Sequence, residues 1–147
     1  MTALAWVLMW WIAWSSSLPL PSEVPRVAFM GEWTMRCSGW DRARGECGPE
    51  AAAAVPEIVA FYEPREKMIY LRWEWKPWSV VDLGTLVHEL VHHMQFSAGL
   101  DKTAECKSAL ETDAYRLQNQ WTVLWGQRAE SDALFMAFVS MCHWDAR

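Results

Sequence analysis

The segment of residues 83–95 constrains the fold more than any other part of the chain, because it joins a helical apolar stripe to a His-Glu-x-x-His run. His88 and His92 are four positions apart, so on a helix their imidazoles lie one turn apart on the same face. The apolar residues recur at helical spacing and are Leu83, Leu86, Val87, Leu90, Val91 and Met94. The sequence therefore predicts an amphipathic helix that packs on a sheet and places two histidines close to one point.

Two histidines arranged in this way are typical ligands of a zinc ion, and Glu89 lies beside them as a candidate general base. A catalytic zinc site needs a third protein ligand and leaves one position for water. We expect that ligand to be Glu111, nineteen residues after His92 on the next predicted helix. Glu105 is the alternative, but it lies at the start of that helix. Ala114, one turn after Glu111, is small enough for the two helices to approach closely.

Tyr115 is the candidate stabiliser of the oxyanion that forms during hydrolysis, since it lies one helical turn after Glu111. The alternative is a tyrosine that belongs to the core or only packs beside the ligands. His93 lies about 100° around the helix from His92, so we expect it to miss the metal. It would then lie behind the ligands or on the surface.

Three further polar residues close to the predicted site each allow two interpretations. Gln95 and Gln118 either form hydrogen bonds near the metal or face solvent. Asp113 either orients a ligating histidine through its carboxylate or is a solvated helix residue. The sequence leaves these alternatives open.

The remaining pattern predicts an α+β fold, a small antiparallel β-hairpin sheet packed on two or three helices. Residues 58–62 and 68–73 are β-rich runs joined by a plausible hairpin loop, and residues 26–29 are a candidate short strand. Ser79 and Asp82 form a capping signal for the helix that contains the histidines, which should span residues 80–97 and end before Gly99. Further helices are expected over residues 102–125 and 131–141.

The N-terminal segment is apolar and uncharged from residue 3 to residue 14. Its length suits the core of a signal peptide and is short for a membrane span. No Lys or Arg precedes it, so a retained, Trp-rich interfacial anchor is the competing interpretation. We therefore expect residues 1–22 to be a signal peptide or a hydrophobic anchor, residues 23–147 to form one domain, and the protein to be exported, periplasmic or secreted.

Four cysteines agree with export, because small exported domains often contain disulfides. Three pairings are possible, and we favour Cys37 with Cys47 and Cys106 with Cys142. The first pair would close a loop rich in Gly and charge between residues 31 and 56. No two cysteines have the Cys-x-x-Cys spacing, so a cysteine-ligated zinc site is not expected.

Composition excludes other classes of protein. Hydrophobic residues make up 52% of the 147 residues, which argues against disorder over most of the chain. The net charge is −5, and the 13 basic residues are scattered. Without a Lys/Arg cluster, a nucleic acid is not an expected partner.

The sequence Leu-Val-His-Glu-Leu-Val-His-His-Met-Gln resembles the metal-binding helix of the gluzincin zinc metallopeptidases, in which a glutamate from the next helix completes the site. A longer pattern, over about residues 56–125, resembles a family of small exported bacterial proteins of unknown function. The matching residues are the strand at 68–73, the HExxHHxQ helix, Cys106, Glu111, Ala114, Tyr115, Gln118 and Trp121. This resemblance implies one zinc ion held by His88, His92 and Glu111, with Glu89 as base, and it implies no known substrate.

These observations lead to one expected function and one alternative. We expect a zinc-dependent metallohydrolase, a peptidase that acts on peptides or proteins through a zinc-activated water. The alternative is an exported zinc-binding module without turnover. Association with a membrane through the N-terminal segment is compatible with either function.

Overall fold

The computed structural model describes residues 1–38, 47–48, 50, 53, 58–129 and 131–142. Over these residues the fold is α+β, as predicted, with five helices and a three-stranded mixed sheet. The elements in chain order are α1 (Thr2–Ser15), β1 (Arg26–Met30), α2 (Glu32–Ser38), β2 (Ala60–Glu63), β3 (Met68–Arg72), α3 (Val80–Ser97), a short 3-10 helix (Leu100–Lys102), α4 (Lys107–Leu124) and α5 (Ala133–Val139).

The predicted hairpin is confirmed and is part of a larger sheet. β2 and β3 pair antiparallel, with Ala60 opposite Leu71 and Glu63 opposite Met68. β1 lies on the other side of β3 and runs parallel to it, so the strand order is β1-β3-β2. The candidate strand at residues 26–29 is therefore real, but its parallel pairing was not predicted, because a short strand contains no local signal for its partner.

Helix α3 begins and ends where the sequence predicts. The Ser79 side chain caps it by accepting a hydrogen bond from the Asp82 backbone N–H at 3.2 Å. Beyond its last turn Gly99 has φ 74°, a left-handed conformation that favours glycine. The apolar stripe of α3 packs against β2, β3, α1 and α4: Leu83 is partly buried, and the other five residues are fully buried, namely Leu86, Val87, Leu90, Val91 and Met94.

The two helices after α3 are shorter than predicted. Residues 100–102 form a separate 3-10 helix, so α4 begins at Lys107, after Cys106 in an extended conformation. The Asp132 carboxylate caps α5 by accepting from the Phe135 N–H at 2.8 Å, so α5 spans only Ala133–Val139. Sequence patterns locate helix ends only to within a few residues, whereas the hydrogen bonds define them.

The apolar N-terminal segment is the helix α1, and one of its faces belongs to the core. Ala5, Leu8, Met9 and Ile12 are buried, and α1 packs on α3. The Trp11 ring meets the Trp121 ring of α4 edge-on, with centroids 5.3 Å apart. Among the described residues, no helix has both the length and the apolar character needed to cross a bilayer. The role of residues 1–22 as a signal peptide or an anchor stays a prediction.

Both predicted disulfides are present. Cys37 and Cys47 have Cα atoms 5.7 Å apart, and Cys106 and Cys142 have Cα atoms 5.6 Å apart. The loop predicted between residues 31 and 56 begins instead with α2, and most of the rest of it lies outside the described residues. Two disulfides indicate an oxidising, extracellular environment.

Candidate metal centre

Three ligand-type side chains meet where α3 packs against α4. His88 and His92 lie one turn apart on α3, with their Nε2 atoms 3.1 Å from each other. Glu111 of α4 places one carboxylate oxygen 3.2 Å from His88 Nε2 and the other 3.3 Å from His92 Nε2. One potential ligand atom from each residue lies within 4.8 Å of the others, so this group could hold a metal ion. Glu105, the alternative third ligand, is not part of it.

Two glutamines determine which nitrogen of each histidine faces the group. His92 Nδ1 lies 3.0 Å from Gln95 Oε1, and the Gln95 amide nitrogen donates to the Leu110 carbonyl at 2.9 Å. His88 Nδ1 lies 2.9 Å from Gln118 Oε1. An amide oxygen only accepts, so each Nδ1 donates its proton to a glutamine. Gln95 and Gln118 therefore form hydrogen bonds with the two histidines of the site and do not simply face solvent.

The consequence is a cluster of electron-pair donors. With the proton on Nδ1, each neutral imidazole has an unprotonated Nε2, and these two nitrogens face each other and the Glu111 carboxylate. Such atoms repel at about 3 Å unless a cation or a proton lies among them. Two imidazole nitrogens and one carboxylate are also the ligand set of a catalytic zinc site with one open position. The residues present therefore fit a divalent cation.

Electrostatics at the cluster favour positive charge. Burial raises the pKa of the Glu111 carboxyl, but when protons rather than a cation lie between these atoms, hydrogen bonds from His88 and His92 hold this pKa well below its ordinary range. Burial lowers the pKa of His92, but the hydrogen bond with Glu111 and the charges of Glu89 and Glu111 together raise it above its usual value. Glu111 is therefore ionised, as a metal ligand must be.

Glu89 lies next to the ligands in a protected position. Its side chain is 7% exposed, and burial raises the pKa of its carboxyl even though His88 and His92 oppose this. A hydrogen bond from the backbone of Tyr62 in β2 also acts to lower this pKa. Glu89 and the three ligand residues line one cavity of about 430 Å³. A buried carboxyl with a raised pKa beside three potential ligands suits proton transfer.

Tyr115 lines the same cavity as Glu89 and has two aromatic neighbours. Its ring is edge-on to the His88 ring, with centroids 4.5 Å apart, and it also contacts Phe135 of α5 at 5.0 Å. Burial raises the pKa of its phenol, so the hydroxyl remains a donor at neutral pH. Its role as oxyanion stabiliser stays a prediction.

His93 and Asp113 are the two remaining residues with open interpretations. His93 is 1% exposed, so it lies behind the ligands rather than on the surface, and burial lowers its pKa. Its partners are the Tyr62 hydroxyl and the Glu23 carbonyl, each at 3.0 Å. Asp113 is exposed and pairs with Arg116 at 3.3 Å, so it is a solvated helix residue. Sequence reasoning did not connect Tyr62 to the site, since it lies on a strand far from the motif.

The group of His88, His92 and Glu111, called the metal group below, also borders a second, larger cavity. This cavity has a volume of about 590 Å³, and its walls include Phe96 and Leu110. Tyr62, His92 and Glu111 line both cavities, so the metal group lies between them. A bound molecule could therefore extend to either side of the cluster.

Comparison with known proteins identifies a family but no characterised relative. No curated protein and no solved structure matches the chain. The likeness to gluzincins consequently rests on the pattern of the metal-site residues alone. A family model described as "Domain of unknown function (DUF6647)" matches residues 1–146, and this range includes α1 as well as the metal group. The chain therefore belongs to the DUF6647 family of domains of unknown function.

Proposed function

We propose that the protein is a zinc-dependent metallohydrolase, with His88, His92 and Glu111 as ligands and Glu89 as general base. One observation supports this more than any other. The Nε2 atoms of His88 and His92 and the Glu111 carboxylate lie about 3 Å from one another. They share a cavity with the buried Glu89 carboxyl, whose pKa is raised. A structural metal site has no need of that carboxyl, whereas hydrolysis does.

The chemistry divides between the metal and the chain's own residues. A zinc ion lowers the pKa of its water to about 7 and polarises a carbonyl group. Glu89 takes the proton of the attacking water on its carboxylate and returns it to the leaving amine. The Tyr115 hydroxyl donates a hydrogen bond to the oxygen on which negative charge develops. The two cavities beside the cluster accommodate the substrate.

A peptide is the substrate class that the surroundings of the site favour. β2 is an edge strand of the sheet over the described residues, and residues 58–62 line the cavity that contains Glu89. Edge strands bind extended peptides by adding them as a further strand. A peptide held along β2 would lie next to the zinc ligands and the general base.

A non-catalytic zinc-binding module is the second candidate, and one observation favours it. The ligands come from two helices, so a metal ion would cross-link α3 to α4 and stabilise the fold. In that case zinc removal would unfold the protein, while Glu89→Gln would change neither zinc content nor any cellular phenotype.

We also propose that the protein acts after export, in the periplasm or outside the cell. The two disulfides support this. Residues 1–22 would serve as a signal peptide or hold the protein at a membrane surface. N-terminal sequencing of protein from fractionated cells tests this: a mature terminus near residues 18–23 in the soluble fraction contradicts the anchor.

Metal content is the first test of the hydrolase. We expect one zinc per chain in the wild type and in the control Glu105→Ala, which alters an exposed glutamate outside the group. Glu111→Ala should lose the zinc. Removing a ligand should lower the zinc affinity by more than the about 100-fold that is lost when a hydrogen bond to a ligand is removed. The zinc-loaded protein is then assayed on a broad peptide library beside Glu89→Gln. Hydrolysis that Glu89→Gln abolishes supports the proposal, and zinc-loaded protein without any such hydrolysis refutes it.

A further inference from the structure

We propose that His93 and Tyr62 form a positioning pair that holds the Glu89 carboxylate in its working orientation. The pair links helix α3 to the edge strand β2 through a continuous series of hydrogen bonds. This inference rests on the proposed function, in which Glu89 is the general base.

The first part of the series is determined by what each atom can donate. His93 Nε2 lies 3.0 Å from the backbone carbonyl of Glu23, which only accepts, so Nε2 bears the proton. In the neutral ring Nδ1 then has a lone pair. The Tyr62 hydroxyl, 3.0 Å from Nδ1, is therefore the donor. For the neutral ring, these two contacts thus assign both the tautomer of His93 and the direction of the Tyr62 hydrogen bond.

The second part runs through the backbone of the same tyrosine. Tyr62 and Glu89 line the same cavity, where a hydrogen bond from the Tyr62 backbone N–H lowers the pKa of the Glu89 carboxyl, while the Tyr62 hydroxyl donates to His93. Glu89 and His93 are four residues apart on α3, so both lie on the helix face that meets β2. Tyr62 therefore contacts that face at two points, one turn apart. A shift of β2 along α3 would break both contacts.

The neighbours of the pair keep it in place. The Tyr62 ring packs edge-on to the His93 ring at 5.4 Å and close to Phe96 at 5.9 Å. The segment that contains Glu23 is attached to the β2–β3 loop by the Lys67–Glu23 ion pair at 2.6 Å. A buried carboxylate needs donors directed at it, and the Tyr62 N–H is one. The pair consequently controls where a proton acceptor stands relative to the metal ligands.

The test compares Tyr62→Phe with Tyr70→Phe in the zinc-loaded full chain. Tyr62→Phe removes only the hydroxyl that donates to His93. Tyr70→Phe is the matched control on β3, because its hydroxyl donates to Glu66 at 2.8 Å on the exposed side of the sheet. The first readout combines the hydrogen-exchange rate of the residue-62 amide with the nitrogen resonances of His93. The second is the kcat and KM for a peptide that the wild type hydrolyses.

We expect wild-type His93 to be protonated on Nε2. Tyr62→Phe should speed exchange of the residue-62 amide about tenfold, as loss of one hydrogen bond does, and lower kcat about 10- to 100-fold at nearly constant KM. Tyr70→Phe should change neither. His93→Gln, whose amide can both donate to Glu23 and accept from Tyr62, should restore part of what His93→Leu loses.

The outcomes separate this inference from the proposed function. A His93 proton on Nδ1, or a residue-62 amide that exchanges at the wild-type rate in Tyr62→Phe, overturns the positioning pair even if the wild type hydrolyses peptides. A wild type without hydrolysis, whose residue-62 amide nevertheless responds to Tyr62→Phe and not to Tyr70→Phe, supports the pair as the support of Glu89 and refutes the hydrolase alone.

Discussion

Removing the Cys106–Cys142 disulfide is expected to destabilise the protein more than removing Cys37–Cys47, because it closes the longer loop. The two bridges join residues 36 and 10 positions apart. Loop-closure entropy at 25 °C then predicts a loss of about 4 kcal/mol in the free energy of unfolding for the longer loop and about 3 kcal/mol for the shorter. The difference of about 1 kcal/mol depends only on the ratio of the two loop lengths.

The longer bridge also affects the metal centre through α5. Cys142 follows α5, and the Asn119 side chain holds the other end by bonding both backbone groups of Ser131, at 2.9 and 3.0 Å. α5 places Phe135 against Tyr115, which in turn packs on the His88 ring. Without Cys106–Cys142 the C-terminal end of α5 loses its covalent attachment to the start of α4, so we expect zinc affinity to fall as well.

Double serine variants of each pair test this reasoning. Calorimetry should show Tm lowered by about 8–16 °C for the Cys106/Cys142 variant, at about 2–4 °C per kcal/mol for a chain of this size. Competition with a chelator should show weaker zinc binding for that variant and unchanged binding for the Cys37/Cys47 variant. If the Cys37/Cys47 variant is the less stable of the two, the loop-closure argument is wrong.

Two further substitutions in α4 separate the metal centre from the core. Gln118→Leu removes the acceptor of the His88 Nδ1 proton, so zinc affinity should fall about 10- to 100-fold in a chelator competition. The control Gln120→Leu, at an exposed position of the same helix, should have no effect. Equal affinities in the two variants would contradict the role given to Gln118. Leu117→Ala leaves a cavity at a fully buried position and should lower the free energy of unfolding, measured in urea, by about 2–5 kcal/mol. Leu124→Ala, at a position 62% exposed, should stay within about 0.5 kcal/mol of the wild type.

The features that were predictable from sequence are those encoded within a few turns of the chain. The bounds of α3 follow from the cap at Ser79, an apolar stripe of helical period and Gly99. The i, i+4 spacing of His88 and His92 was enough to place both imidazoles together. The hairpin of β2 and β3 was also predictable, because a short polar loop joins two β-rich runs.

Packing between distant segments decided the rest. The parallel pairing of β1 with β3 joins residues that start at 26 and at 68, and no local pattern specifies it. The approach of α4 to α3 brings Glu111 rather than Glu105 to the histidines and turns Gln118 towards His88. His93 looked like a possible surface residue, yet the strand β2 and the segment before β1 cover it and supply its partners, Tyr62 and Glu23. Periodicity within one element determines which face is apolar, whereas the partners of a polar group depend on which elements meet there. The sequence by itself therefore determined a helix with two histidines on one face, and only the tertiary structure decided which residues surround those histidines and Glu89.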